Sequence, residues 1–169
     1  SSEVDRGTTF WVELPEAQAV DVGNLPTEPA VRELSRGTAS GTILYIEDNR
    51  SNVRLLERLL GKRRAVTLLT AARGEDGLEL AKRERPNLIL LDLHLPDMSG
   101  EEVLRRLWSD PATRPLPVAV LSADATPAQR QRLLASGAVA YLTKPLDITH
   151  LLRLIDDRLM GSGTAETRA

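Results

Sequence analysis

Between residues 42 and 160 the sequence passes five times from a short apolar run to a stretch of helical periodicity, and few folds accommodate that rhythm. Ile43-Leu44-Tyr45-Ile46 opens the series and ends in acids, and residues 49–60 come next with Val53, Leu56 and Leu60 on one helical face. Residues 65–70 read as a second strand. Residues 75–85 read as a second helix, with Glu75 and Asp76 in its first turn, Lys82 and Arg83 in its last and Pro86 just beyond, a charge order that suits the helix dipole. Leu88-Ile89-Leu90-Leu91 is apolar without alternation, as expected of a parallel strand covered on both faces. Ser99 is placed to cap a third helix that carries Val103, Leu104 and Leu107, with Glu101 and Glu102 in its first turn. Val118-Ala119-Val120-Leu121 is the fourth strand. Thr126 is the expected cap of the helix after it, with Pro127 at the first helical position and a stop near Gly137. Residues 139–142 and 148–160 complete the fifth unit, whose helix presents Ile148, Leu151, Leu152, Ile155 and Leu159. Right-handed crossovers turn such a series into a doubly wound α/β domain, a parallel sheet between two layers of helices. Periodicity leaves the order of the strands open.

At 169 residues the chain has room for one main core and some peripheral sequence. Residues 1–41 differ in character from the rest of the chain. Phe10-Trp11-Val12-Glu13-Leu14 reads as a short strand stopped by Pro15, after which Gly23, Pro26, Pro29, Gly37 and Gly41 punctuate polar sequence, so residues 16–41 read as a linker. Residues 161–169 read as a flexible tail. A formal charge of -2 gives no positive excess to attract nucleic acid or anionic lipid. Without cysteine there is no disulfide framework and no thiolate metal site. No apolar run approaches the roughly 18 residues that cross a bilayer, and no basic segment followed by a hydrophobic one opens the sequence, so a cytoplasmic location without membrane contact is the default expectation.

In an open α/β sheet, ligands gather beyond the carboxyl ends of the strands, near the place where the strand order reverses. The residues directly after the apolar runs therefore carry the chemistry. Glu47 and Asp48 close the first run and Asp92 closes the third. If those strands are neighbours, three carboxylates meet in one pocket, where mutual repulsion calls for a cation. Magnesium suits such a pocket, because it takes oxygen ligands, tolerates one or two carboxylates beside several waters and readily includes phosphoryl oxygens. The lack of cysteine and the isolation of His94 argue against zinc. Asp48 and Asp92 are expected as direct ligands, with Glu47 bound directly or through water.

Ser122 follows the fourth run and Lys144 the fifth. At the same rim, Lys144 can offset charge on a carboxylate and a phosphoryl group, while Ser122 can donate a hydrogen bond to one of their oxygens. Taken singly, each of these residues reads as an ordinary loop acid, surface lysine or turn serine. Complementary groups at four of five strand ends read as a site. Lys144-Pro145 makes a cis peptide accessible, and Pro96 and Gly100 bracket a tight connection after Asp92 in which Gly100 lets the third helix approach closely.

These residues together resemble the receiver domains of two-component phosphorelay signalling. The resemblance rests on Ile43-Leu44-Tyr45-Ile46-Glu47-Asp48-Asn49, on Leu90-Leu91-Asp92-Leu93-His94-Leu95-Pro96-Asp97-Met98-Ser99-Gly100, on Leu121-Ser122-Ala123-Asp124 and on Tyr141-Leu142-Thr143-Lys144-Pro145-Leu146, in family order and at family spacing. It implies a flavodoxin-like five-stranded sheet in the order 2-1-3-4-5. It implies Asp92 as phosphoacceptor, Glu47 and Asp48 as the acidic pair that holds Mg2+, and the backbone carbonyl of His94 as a further ligand. Ser122 becomes the switch hydroxyl, Lys144 the base that contacts the phosphoryl group, and Tyr141 the aromatic residue that turns from exposed to buried on phosphorylation. Ser122 stands where Thr is common and Leu95 where Met is common, and neither threatens that chemistry.

The resemblance further implies magnesium-dependent self-phosphorylation from phosphohistidine, slow autodephosphorylation, and a partner that is a kinase dimerisation domain or a histidine phosphotransfer protein. Homodimerisation through the last helices is common among such domains. A second resemblance covers Asp5-Arg6-Gly7-Thr8-Thr9-Phe10-Trp11-Val12-Glu13-Leu14-Pro15, which is similar to the last strand of the ATP-binding domain of sensor histidine kinases. It implies the C-terminal receiver of a hybrid histidine kinase, with residues 1–15 a remnant of the catalytic domain and no complete kinase domain here. The rival readings are a pseudo-receiver that acts only as a protein docking module, and an unrelated magnesium phosphatase of the same layered form.

Overall fold

A computed structural model describes residues 2–3, 7–8 and 39–161. The strand expected at residues 10–14, most of the linker and most of the tail lie outside the described residues. A two-residue antiparallel pair joins Ser2–Glu3 to Gly7–Thr8.

The five apolar runs form one sheet: β1 (Gly41–Ile46), β2 (Val66–Ala71), β3 (Leu88–Asp92), β4 (Val118–Ser122) and β5 (Ala140–Thr143). Their order is β2-β1-β3-β4-β5 and every pairing is parallel, so the order reverses between β1 and β3. Between the strands run α1 (Arg50–Leu60), α2 (Gly74–Glu84), α3 (Gly100–Ser109) and α4 (Pro127–Ala135), and α5 (Ile148–Gly161) follows β5.

The strands are apolar on both faces because both faces are covered. Ile43, Tyr45, Leu88, Leu90, Ala119, Leu121 and Leu142 pack against Leu56 and Leu60 of α1 and Leu151, Leu152, Ile155 and Leu159 of α5. Their neighbours in sequence, among them Leu44, Ile46, Ile89, Leu91, Val118 and Val120, pack on the opposite side against Ala81 of α2, Val103, Leu104 and Leu107 of α3 and Leu133 of α4. The unalternating run in β3 is buried along its whole length, as two-sided coverage demands.

Helix starts show where local sequence acts and where distant chain takes over. Asn49 Oδ1 accepts the Ser51 N–H at 2.9 Å, and Ser99 Oγ accepts that of Glu102 at 3.2 Å, both ordinary caps. Thr126 occupies the cap position of α4, but its side chain makes no capping bond. Asp124 Oδ1 instead accepts the Thr126 N–H at 2.7 Å, a two-residue turn that holds the backbone entering the helix.

Helix α2 has no cap of its own, because Arg73 stands at that position. Asp97, in the loop after β3, supplies the acceptor: its two oxygens take the N–H groups of Gly74 at 2.8 Å and Glu75 at 3.0 Å. Those two bonds hold the Asp97 carboxyl below the usual aspartate value. A depressed folded-state pKa stabilises fully above the ordinary value of 3.8, and the contribution is lost as pH falls through the lower folded value. Asp97→Asn is therefore expected to flatten the acid limb. Urea unfolding followed from about pH 4 to about pH 2 should show a steeper loss of stability in the native chain than in the variant, and equal slopes would refute the assignment.

One long-range contact gave no sequence signal. The guanidinium of Arg63, fully enclosed after α1, meets Asp156 of α5 through two bonds, Nη1 to Oδ1 at 2.5 Å and Nη2 to Oδ2 at 3.0 Å. It ties the α1–β2 connection to the last helix.

Candidate functional site

Register brings the strand ends together. Ile46 of β1 lies opposite Leu91 of β3, so Glu47 and Asp48 emerge beside Asp92. Asp92 in turn lies opposite Leu121 of β4, and Ser122 opposite Thr143 of β5, with the Lys144 N–H donating to the Ser122 carbonyl at 2.8 Å. All five residues thus lie at the carboxyl rim, with Glu47, Asp48 and Asp92 at the point where the strand order reverses.

Glu47, Asp48 and Asp92 each place a carboxylate oxygen within 4.8 Å of the others. Glu47 and Asp92 are buried and Asp48 is exposed. Lys144 reaches into the cluster, with Nζ 2.8 Å from Glu47 Oε2 and 2.9 Å from Asp92 Oδ2. The Lys144-Pro145 peptide is cis. Two further donors fix Glu47: the Tyr45 hydroxyl donates to Oε2 at 2.8 Å, and the Asn49 N–H donates to Oε1 at 3.2 Å.

Burial would raise the Glu47 carboxyl, but the bonds from Lys144 and Tyr45 outweigh it and hold the group below the usual glutamate range. Burial likewise works against the Lys144 ammonium, and its bonds to Glu47 and Asp92 raise it above the usual lysine value. The Tyr45 phenol is pushed far up, by burial first and by the Glu47 charge second. A charged Lys144 and a charged Glu47 are therefore the state this geometry selects.

One ammonium does not balance three carboxylates, and Asp92 shows where the deficit falls. Its Oδ1 is buried and has no hydrogen-bond partner among the described residues, whereas Oδ2 is held by Lys144. A buried carboxylate oxygen left this way is costly unless something positive or hydrogen-bonding arrives. The donor set is all oxygen and carries charge, which fits a hard divalent cation such as magnesium and suits neither zinc nor copper.

The other expected residues sit close by in different states. Ser122 is fully buried, and its Oγ accepts the Asp124 N–H at 3.0 Å, which leaves the hydroxyl proton for another oxygen. His94 lies in the loop after β3 and forms an antiparallel bridge with Ser99. Tyr141 departs from the exposed resting position that the resemblance implies: it is buried, and its hydroxyl donates to the Asp124 carbonyl at 2.6 Å, with Gln129 Oε1 at 3.2 Å as the alternative acceptor. The Asp124 carbonyl satisfies the phenol inward, so burial of the ring carries no polar penalty. Sequence reasoning misses Tyr45, whose place in an apolar run marks it as core and conceals its hydroxyl's contact.

A doubly wound parallel sheet in this order, with acids and a lysine at the carboxyl ends of its strands, defines a flavodoxin-like domain. The family model described as the response regulator receiver domain matches residues 43–156, and the chain belongs to that family. It is 33% identical over 118 residues to the polar-differentiation response regulator DivK of Brucella anthropi, covering 70% of this chain and 95% of that protein. It is 42% identical over 108 residues to the response regulator PleD of Caulobacter vibrioides, covering 64% of this chain but 24% of that longer protein. Among solved structures it resembles the receiver domain of the sensor histidine kinase PA1611 from Pseudomonas aeruginosa PAO1, with a TM-score of 0.63, 30% identity, and coverage of 73% of this chain and 99% of that one. That crystal structure has a magnesium ion coordinated in its active site cleft.

Proposed function

We propose that this chain takes a phosphoryl group onto Asp92 from a phosphohistidine and changes conformation to pass the signal on. The observation that carries the reading is the asymmetry of Asp92, which sits with two further carboxylates: Oδ2 is tied to Lys144, and Oδ1 is buried without a partner among the described residues. In the transfer, an Asp92 oxygen forms a bond to phosphorus as the P–N bond breaks, and its electron pair returns to the imidazole ring of the donor. Lys144, already 2.9 Å from Asp92, is placed to offset charge on the phosphoryl oxygens, and the free Ser122 proton is placed to donate to one of them. Bound Mg2+, held by Glu47, Asp48, Asp92 and the His94 carbonyl, would supply positive charge against the phosphoryl oxygens. Slow hydrolysis of the aspartyl phosphate would reset the domain.

The conformational response has a short route. The new group brings roughly -1.5 to -2 charges. Any movement of Ser122 toward it pulls on the Asp124 N–H that its Oγ accepts, and the Asp124 carbonyl is the acceptor that holds Tyr141. One backbone unit therefore joins the switch hydroxyl to the switch tyrosine. The β4–α4 loop, α4, β5 and α5 are the elements that would shift between two states.

The wider setting belongs to the same proposal. The similarity of residues 5–15 to a kinase strand supports a remnant of an ATP-binding domain at 1–15, a linker at 16–41, the receiver at 42–160 and a tail at 161–169. It supports the receiver of a hybrid kinase, with a phosphohistidine-bearing dimerisation domain or phosphotransfer protein as partner in the cytoplasm. Among the described residues no helix is long and apolar enough to cross a membrane.

Titration with magnesium and then acetyl phosphate, followed by intact mass, tests the chemistry. We expect an adduct of about 80 Da that requires the metal. Partner binding without an adduct would instead identify a docking module, and turnover of phosphate esters without an adduct would identify a phosphatase. Transfer from a phosphorylated histidine domain then tests the donor.

A further inference from the structure

We infer that Tyr45 is a positioning residue for the acidic pocket, one whose hydroxyl keeps Glu47 aimed at the cation position while Lys144 turns to the phosphoryl group. The inference rests on the phosphoacceptor reading above and deepens it.

Position 45 lies inside β1, is 1% exposed and is surrounded by aliphatic side chains. An aliphatic residue would fill that core as well. A phenol there costs stability unless its hydroxyl finds a partner, and the partner it finds is Glu47 Oε2 at 2.8 Å. The same oxygen also accepts from Lys144 Nζ at 2.8 Å, while Oε1 has the Asn49 N–H at 3.2 Å.

Oε2 is therefore shared between a fixed donor and a mobile one. Lys144 bridges Glu47 and Asp92, and once Asp92 carries a phosphoryl group its charged oxygens draw the ammonium away from Glu47. Tyr45 remains, because its ring is locked in the core and its only freedom is rotation of the hydroxyl. It also supports Glu47 without adding positive charge beside the place a cation would take, which a second lysine would do. A carboxylate held this way meets the cation already oriented.

Tyr45→Phe deletes one oxygen and keeps the ring. By calorimetric titration we expect its Mg2+ dissociation constant to rise about 10-fold. In a Glu47→Gln background the same substitution should change affinity by less than about 2-fold, because the acceptor through which Tyr45 acts has been altered. A merely structural role would lower thermal stability and weaken binding equally in both backgrounds.

A second measurement needs no variant at position 45. The chain has two tyrosines, so 13Cζ-tyrosine spectra give two resonances, assigned with Tyr141→Phe. The Tyr45 resonance should move during magnesium titration with the dissociation constant found by calorimetry. Unchanged affinity in Tyr45→Phe, or a Tyr45 resonance that stays still through saturation, overturns the inference while a native chain that still gains its adduct keeps the phosphoacceptor reading. A native chain that binds no magnesium and gains no adduct overturns both.

Discussion

Asp92→Ala is expected to abolish the adduct of about 80 Da while leaving the domain folded. The loss should be total, because neither neighbouring carboxylate offers the same access. Glu47 has both oxygens engaged, Oε1 by the Asn49 N–H and Oε2 by Tyr45 and Lys144. Asp48 is exposed, and in the variant Lys144 still spends its ammonium on Glu47 rather than on balancing a phosphoryl charge there. Folding should survive, because Lys144 keeps its 2.8 Å bond to Glu47 and the substitution removes a buried acid whose Oδ1 has no partner among the described residues. The crowding of three carboxylates within 4.8 Å is relieved at the same time. Intact mass after acetyl phosphate treatment, with unfolding followed on the same sample, gives both readings. Adduct formation at full stoichiometry in the variant would place the chemistry on another residue.

The layers and the rim are legible in the sequence because they obey local rules. A run such as Leu88-Ile89-Leu90-Leu91, apolar at every position, is stable only when both faces are covered, and that one fact places helices above and below β3. Glu47 and Asp48 just after β1, Asp92 and Ser122 at the last positions of β3 and β4, and Lys144 just after β5 are then forced to one end of the sheet. Strand order is a different matter, since no periodicity distinguishes a neighbour of β1 from a more distant strand. The resemblance to receiver domains supplies the order that the pairing of β1 with both β2 and β3 displays.

Contacts that depend on how separate elements pack, or on where a neighbouring side chain turns, are not legible. Asp97, which caps α2, reads as a turn residue after Asp92, because the N–H groups it accepts lie more than a helix away. Arg63 and Asp156 belong to no motif that pairs them, and the packing of α5 against the sheet brings them together. Tyr45 reads as bulk in a strand. Its hydroxyl acquires meaning only once Glu47 and Lys144 are fixed around it. Tyr141 is assigned a motion by resemblance, but which end of that motion the chain adopts depends on acceptors at Asp124 and Gln129 that no motif announces.

Gly100→Ala is expected to destabilise the domain by about 3 kcal/mol and to lower its Tm by about 10 °C. The cause is contact with main chain. A Cβ on Gly100 would collide with the Asp92 carbonyl oxygen and sit 2.7 Å from the Leu93 Cα, and neither atom can swing away as the end of a side chain could. The first turn of α3 presses directly on the end of β3, and the Gly100 N–H donates to the Leu93 carbonyl at 2.9 Å. Relief requires α3 to back off or β3 to shift. The first opens the packing of Val103, Leu104 and Leu107 against the sheet, and the second moves Asp92 away from Lys144. The same substitution should therefore slow phosphorylation of whatever fraction remains folded, since transfer depends on sub-ångström placement of the acceptor. Thermal unfolding and the initial rate of adduct formation, measured together, separate the two effects. A Tm within about 3 °C of the native chain would show that the helix yields without cost and that the close approach does not hold the acceptor in place.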